Sequence, residues 1–336
     1  MEGVVDWVLR DFYTREFGAD VCVTEFIRVT DRLLPRHVIL DQAPELAAGP
    51  LCGRTRSGAP VLVQFLGGKA QPMAENAVLA VEMGALGIDL NFGCPARTVN
   101  RHDGGAALLK NPERVHEVVS AVRRAVPSTV SVSAKVRLGF SDKSLFLEIA
   151  QAAEAGGASW LTVHARTRDE MYRPPAHWQY TAWIREALKI PVIGNGDIWT
   201  PSDLERCRAV TGCETLMLGR GWIADPWLGL KARGASIAPL VDEADLLWRF
   251  AQATASYRGE HYAICRSKQW CKQLARYSPW SAAAFEWLKH ATNLADLERG
   301  LHCLSSVRAD ISCGREKNSD ATASSSPVLL ARVERA

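Results

Sequence analysis

The sequence predicts a (β/α)8 TIM barrel whose first strand is missing from this chain, followed by a small C-terminal all-α helical domain. Three observations carry that reading. Short β-rich runs alternate with amphipathic stretches through the first part of the 336 residues, the rhythm of a parallel sheet with crossover helices. Polar residues stand at the ends of several runs, where a barrel keeps its working face. After about residue 237 the strand signals stop and only helical patterns follow.

In chain order the β-rich runs are VCVTEF (21–26), VLVQFLG (61–67), GIDLNFG (87–93), VSVSAKVRLG (130–139), WLTVHA (160–165), PVIGNG (191–196) and TLMLGRG (215–221). Between them PMAENAVLAVEMGALG, NPERVHEVVSAVRRAV, SLFLEIAQAAEAGGA and TPSDLERCRAVTG read as helices, the last two closing in Gly near the expected C-cap. Seven strands are one short of a closed barrel. MEGVVDWVLRDFY reads as the loop and helix after a first strand, so the absent strand is expected upstream of Met1, with the chain starting at an internal methionine. DEADLLWRFAQATASY, HYAICRSKQWCKQLARY, AAAFEWLKHATNL and DLERGLHCLSSVRADI are read as helices of a second domain. The expected boundaries are 1–237 for the barrel, 238–312 for the helical domain and 313–336 for a polar, Ser/Ala-rich disordered tail.

With 47% apolar and 23% charged residues, the composition is that of a soluble globular protein. A formal charge of +3 leaves attraction to an acidic partner to local clusters. Nine cysteines without any CxxC spacing argue against a disulfide framework and a tetrahedral zinc site. No apolar run of transmembrane length occurs, and the first residues lack the pattern of a signal peptide, so a reducing, cytoplasmic context is expected.

The stretch IDLNFGCPARTVNRHDGGAALLK (88–110) ends an apolar run on Asn91, then sets Gly93, Cys94 and Pro95 where a β-to-α loop begins. A cysteine is most often a small interior residue. A thiol at a strand end can also give a proton, since an ordinary thiol with a pKa near ~8.5 is mostly protonated at neutral pH. Gln64, Lys135 and His164 add polar groups on three further strands. His164 alone reads as a structural histidine and Lys135 alone as a solvated residue, but helices cover a barrel's outside, which favours inward roles. The loops GNGDIW (194–199) and GRGWIA (219–224) are Gly-rich turns at the barrel's common phosphate position, with Arg220 adding charge. GRGWIA also fits a dinucleotide fingerprint, weakly, because Pro226 interrupts the helix that should follow.

From 261 to 290 the helical region carries Arg266, Lys268, Lys272, Arg276 and Lys289 against Glu286 alone, a local charge of +4. Lys268, Lys272 and Arg276 fall at i, i+4 and i+8, one helix face with Trp270 nearby. Such a stripe is either an ordinary solvated face or a phosphate-binding one.

The 88–110 stretch closely resembles the active-site segment of the tRNA-dihydrouridine synthases. MEG, TEFIRV, VQFLG, AKVRLG, VHARTRDEMYR, GNGDI and LGRG resemble that family's landmarks in the same order, and TEFIRVTDRLLP with RSKQW resembles its C-type subfamily. The resemblance implies an FMN enzyme that uses NADPH, or NADH, to reduce uridine in the D-loop of tRNA, at position 16. It implies tRNA as partner, with no membrane and no protein partner. Cys94 would be the proton donor. Met1, Glu2, Gln64, Lys135, His164, Asn195, Gly196, Asp197, Gly219 and Arg220 would hold the cofactor, and Arg28, Asn91, Tyr172, Arg266, Lys268 and Lys289 the tRNA. Alternatives are reduction at another D-loop position, a small-molecule flavin oxidoreductase of dihydroorotate dehydrogenase type, an RNA-binding protein without turnover, and a plain structural barrel. A small substrate leaves the basic helical stretch without a purpose, and a structural barrel leaves the polar strand ends without one.

Overall fold

The computed structural model describes residues 3–47, 52–235 and 243–302. Met1, Glu2, the end of the last expected helix and the 313–336 segment lie outside the described residues. The chain divides into two compact units, Met1–Ile237 and Ala238–Ala336.

The first unit runs α1 (Trp7–Glu16), β1 (Cys22–Val23), β2 (Ile27–Arg28), α2 (Arg36–Gln42), β3 (Val61–Leu66), α3 (Ala70–Glu82), β4 (Gly87–Asn91) and α4 (Arg97–Arg101). It continues with α5 (Pro112–Ala125), β5 (Ser131–Arg137), α6 (Phe146–Ala155), β6 (Leu161–His164), α7 (Trp178–Ala187), β7 (Val192–Asn195), α8 (Pro201–Thr211), β8 (Leu216–Met217), α9 (Arg220–Ala224) and α10 (Leu228–Lys231). Every strand pairing is parallel, in the order β1-β3-β4-β5-β6-β7-β8, with β2 also on β3. That is the wound βα architecture of a barrel. Among the described residues no strand joins β8 to β1.

The expected strand over 21–26 is two short pieces on one neighbour. Cys22 and Val23 pair with Val61 and Leu62, and Ile27 and Arg28 pair with Phe65 and Leu66. Between them the Thr24 hydroxyl, not a backbone carbonyl, accepts the Gln64 N–H at 3.0 Å, and the Glu25 carboxylate accepts the N–H groups of Val4 and Val5 at 2.7 and 3.0 Å. Side chains thus replace part of the ladder. Behind this strand Arg10 and Glu45 form a buried ion pair at 2.8 Å.

Local chemistry sets the helix ends. Asn111 caps α5 by accepting the Glu113 N–H at 3.0 Å, with Pro112 at the first helical position. In α8 the Thr200 hydroxyl accepts the Asp203 N–H while Asp203 reaches back to the Thr200 N–H, and Gly212 ends the helix at φ +66°.

The pleat sorts the strands into two faces. Ile88, Leu90, Val132, Ala134, Val136, Leu161 and Val163 join the apolar shell shared with α3, α5 and α6. The intervening positions Asp89, Asn91, Ser133, Lys135, Arg137, Thr162, His164 and Asn195 take the other face, toward the barrel axis, and register sets them side by side. On β4, β5 and β6 the outer face is apolar and the axial face polar.

In the second unit α11 (Glu243–Arg258), α12 (Glu260–Leu274) and α13 (Pro279–Leu288) pack in sequence, and residues 294–302 are also helical. Trp270 is buried edge-on against Phe250, with ring centroids 4.8 Å apart. It is a core residue rather than a companion of the basic stripe. Among the described residues no helix is long and apolar enough to cross a membrane, and no cluster of three or more His, Cys, Asp or Glu could hold a metal.

Candidate active site at the strand ends

Cys94 lies just past the end of β4, half-buried, on a loop held from three directions. The Asn91 side-chain oxygen accepts the N–H groups of Gly93 and Cys94 at 2.9 and 3.0 Å. The Cys94 carbonyl accepts from the Asn100 amide at 3.0 Å and from the Ala106 N–H at 3.1 Å. The Arg137 guanidinium donates to the Gly93 carbonyl at 2.8 Å. Gly105 answers why glycine stands there: its φ is +59°, and a Cβ would come within 2.9 Å of the Cys94 carbonyl oxygen and 3.1 Å of the Cys94 Cβ.

Behind Asn91 a chain of polar side chains runs across the neighbouring strands β3, β4 and β5. The Asn91 amide donates to Gln64 Oε1 at 2.8 Å, the Gln64 amide donates to Asp89 Oδ2 at 2.6 Å, and the Ser133 hydroxyl donates to Asp89 Oδ1 at 2.6 Å. Burial raises the Asp89 pKa, against the opposing pull of its Ser133 and Gln64 hydrogen bonds and of the Lys135 charge.

Lys135 faces the axis one residue layer above Ser133 and donates to Asn195 Oδ1 at 3.1 Å. Burial lowers its pKa to about 8, helped by the Arg137 charge. His164, paired with Arg137 and Asn195, is pushed well below the ordinary histidine range, first by burial and then by Lys135, Arg137, Arg166 and Arg220. Its imidazole is therefore neutral at physiological pH.

Arg166 donates to the Asp197 carboxylate and, at 2.6 Å, to the Arg173 carbonyl. Arg137 also donates to the carbonyls of Thr167 and Met171 at 2.9 and 2.8 Å, so two buried guanidiniums hold the loop after β6. That loop carries Tyr172, 45% exposed, with the Arg220 and Arg137 guanidiniums 4.5 and 5.3 Å from its ring centre. The His164 ring lies 6.1 Å from it.

Gly196, at φ +118°, and Asp197, at φ +50°, make the turn after β7. A Cβ on Gly196 would meet the His164 ring at 3.0 Å. Gly219 caps the five-residue α9, which Arg220 opens. Two features fit a planar, phosphate-bearing cofactor: the cations around His164 and the buried Thr162 hydroxyl without a hydrogen-bond partner on the axial face. The Asp197 carboxylate is taken by Arg166, so Asp197 could meet an anion only through its backbone.

The structure therefore gathers Gln64, Asn91, Cys94, Lys135, His164, Tyr172, Asn195, Gly196, Asp197, Gly219 and Arg220 at or just beyond the strand ends of one barrel. Arg28 is exposed at the end of β2. In the helical unit Lys268 donates to the Lys289 carbonyl at 2.9 Å, and Lys272 and Arg276 are exposed. Arg266 is the exception: it is 7% exposed and donates to the Gln269 side chain of its own helix. Its side chain lies on the buried face of α12, beside Ala263, Ser267 and Trp270. Asp89, Arg137 and Arg166 are additions that sequence reading missed. The signal was period two: Asp89 is two residues before Asn91, Arg137 two after Lys135 and Arg166 two after His164.

A parallel βα barrel with a cysteine, three amides, a lysine and a neutral histidine at its strand ends belongs to the class of barrel enzymes. The family profile described as "Dihydrouridine synthase (Dus)" matches residues 1–310, and the chain belongs to the dihydrouridine synthase family. It is 47% identical over 309 residues to a tRNA-dihydrouridine(16) synthase of Cupriavidus necator, covering 90% of this chain and 95% of that one. A protein of the same description from Pseudomonas putida is 48% identical over 311 residues, covering 89% and 94%. An old yellow enzyme homologue from Zymomonas mobilis aligns at TM-score 0.47 and 13% identity over 71% of this chain and 86% of that one, a likeness too slight to add to the assignment.

Proposed function

We propose that this chain reduces uridine to 5,6-dihydrouridine at position 16 of the tRNA D-loop, with FMN as cofactor and NADPH or NADH as reductant. The observation that carries the reading is Cys94 held by Asn91 at a strand end beside Arg137, in a chain closely similar along its length to tRNA-dihydrouridine(16) synthases. Lys135, Gln64, His164 and Asn195 would lie along the isoalloxazine, and Gly196, the Asp197 backbone, Gly219 and Arg220 would receive the phosphate; Met1 and Glu2 complete the expected set. When bound, the flavin supplies a hydride for uracil C6.

The chain's own residues supply the rest. Cys94 Sγ–H gives its proton to uracil C5 as the C5–C6 double bond is lost, and solvent returns a proton to the thiolate. Asn91 orients the base. Neutral His164 serves as a hydrogen-bond partner that adds no charge to an already cationic site. The target base must leave its stack, at a cost of a few kcal/mol that is smallest in a loop. Tyr172, flanked by two guanidiniums, offers an exposed ring on which a base can stack. Arg28, Lys268 and Lys289, with Lys272 and Arg276, would contact phosphates and orient the tRNA.

The test is position-resolved dihydrouridine in tRNA from cells lacking this gene, complemented with this chain or with Cys94→Ala. Return of dihydrouridine at position 16 with the unaltered chain only is expected. Its return at a different position would overturn the site assignment, and return with both chains would overturn the role of Cys94.

A further inference from the structure

An amide can face either way round, and the two ways have opposite chemistry. Asn91 must present its oxygen to the N–H groups of Gly93 and Cys94, because its NH2 there would set donor against donor. Asn91 then has only its NH2 for Gln64, which must present Oε1, and Gln64 in turn has only its NH2 for the next group. That group is the Asp89 carboxylate, whose Oδ2 accepts at 2.6 Å. The Asp89 oxygen facing Gln64 accepts whether or not the other oxygen, which faces the Ser133 hydroxyl, carries a proton, so it fixes the direction of every bond in the chain. Asp89 is 1% exposed, so bulk water does not compete for that bond.

We propose that Asp89 is a positioning residue: through Gln64 and Asn91 it sets the orientation of the two amides and hence the placement of the loop carrying Cys94. The proposal rests on the reading of Cys94 as the proton donor. Asp89 itself does not reach the reacting atoms. Its effect is transmitted over two amides and ends on a backbone N–H, so it acts on where the thiol is held.

The enzyme carrying its flavin is reduced with NADPH, and reoxidation by tRNA is followed as a separate half-reaction. In parallel, iodoacetamide labelling of Cys94, read by peptide mass, reports the thiol's placement without turnover. Asp89→Ala is expected to leave flavin reduction unchanged, to slow transfer to tRNA by about 10- to 100-fold, and to change the Cys94 labelling rate. Asp89→Asn keeps one oxygen for Gln64, while the Ser133 hydroxyl can rotate to accept from the new NH2. It is therefore expected to stay within about threefold of the unaltered enzyme in both readouts.

Should Asp89→Ala fail to fold, Asp89→Leu removes the same acceptor while filling the side chain's volume, and is expected to slow transfer and alter labelling in the same way. Equal slowing of both half-reactions, unchanged Cys94 labelling in the broken-chain variant, or an Asp89→Asn enzyme as slow as Asp89→Ala would each overturn the proposal. Cys94→Ala separates the two readings. If it blocks transfer while Asp89→Ala does not, only the positioning role fails. If it transfers at the normal rate, the proton-donor reading fails with it.

Discussion

Replacing Gly105 with alanine tests whether the second glycine of the Gly104-Gly105 pair is there for Cys94. At φ +59° an alanine pays a left-handed backbone penalty of ~1–2 kcal/mol. Its Cβ would also lie 2.9 Å from the Cys94 carbonyl oxygen and 3.1 Å from the Cys94 Cβ, so backbone must yield by several tenths of an ångström. In a unit of this size each kcal/mol lowers the melting temperature by about 2–4 °C, giving a fall of about 2–8 °C from the backbone penalty. A displaced thiol is the larger effect: misplacement on the ångström scale costs up to about 100-fold in rate. Gly104 is the control. Its φ is −131°, and a Cβ there would meet the ends of the Leu66 and Val99 side chains at 3.2 and 3.5 Å and the Val99 carbonyl oxygen at an ordinary 3.6 Å. Thermal melts and dihydrouridine formation on unmodified tRNA should therefore show Gly105→Ala folded but slow and Gly104→Ala near normal. A Gly105→Ala enzyme with normal turnover, or equal loss at both positions, would refute the reasoning.

Lys135 loses its charge as pH rises through about 8, so the part of turnover that depends on it should fall over that range; Lys135→Arg should move this fall to higher pH in a rate profile. His164 has a depressed folded pKa, so its contribution to stability is intact above ~6.5 and is lost as pH falls, at up to ~1.4 kcal/mol per pH unit. Denaturation of His164→Gln between pH ~5 and ~7 should show a shallower acid slope. Glu45→Ala leaves the Arg10 charge buried and unpaired, and urea unfolding should report a loss of ~3–5 kcal/mol. Lys272→Glu with Arg276→Glu should weaken tRNA binding and flatten its salt dependence, measured by filter binding at several ionic strengths.

The strands from 61 onward were legible because each is a short β-rich run between helical patterns, and the axial site was legible wherever a polar residue broke such a run. Lys135 in SVSAKVR and Asn91 in GIDLN are instances. The break between β1 and β2 was not legible, since it depends on Thr24 and Glu25 bonding to segments far along the chain. The burial of Arg266 was not legible because charge counting does not show which way a helix turns: its neighbour Ser267 and the turn-related Ala263 and Trp270 are all buried, placing it on the inner face. The roles of Arg137 and Arg166 were hidden for another reason. Arg137 bonds main-chain carbonyls, which leave no mark in a sequence, and Arg166 bonds one as well as the Asp197 carboxylate, which lies on a different loop.

The alternation along β5 bears on how the chain finds its fold. Sliding β5 by one residue against β4 or β6 would send Ser133, Lys135 and Arg137 into the apolar shell and bring Val132, Ala134 and Val136 to the axis. Two cations would then be desolvated with no partner. The groups that make the site chemically useful thus also proofread the assembly of the barrel, penalising a misaligned strand before any substrate is met.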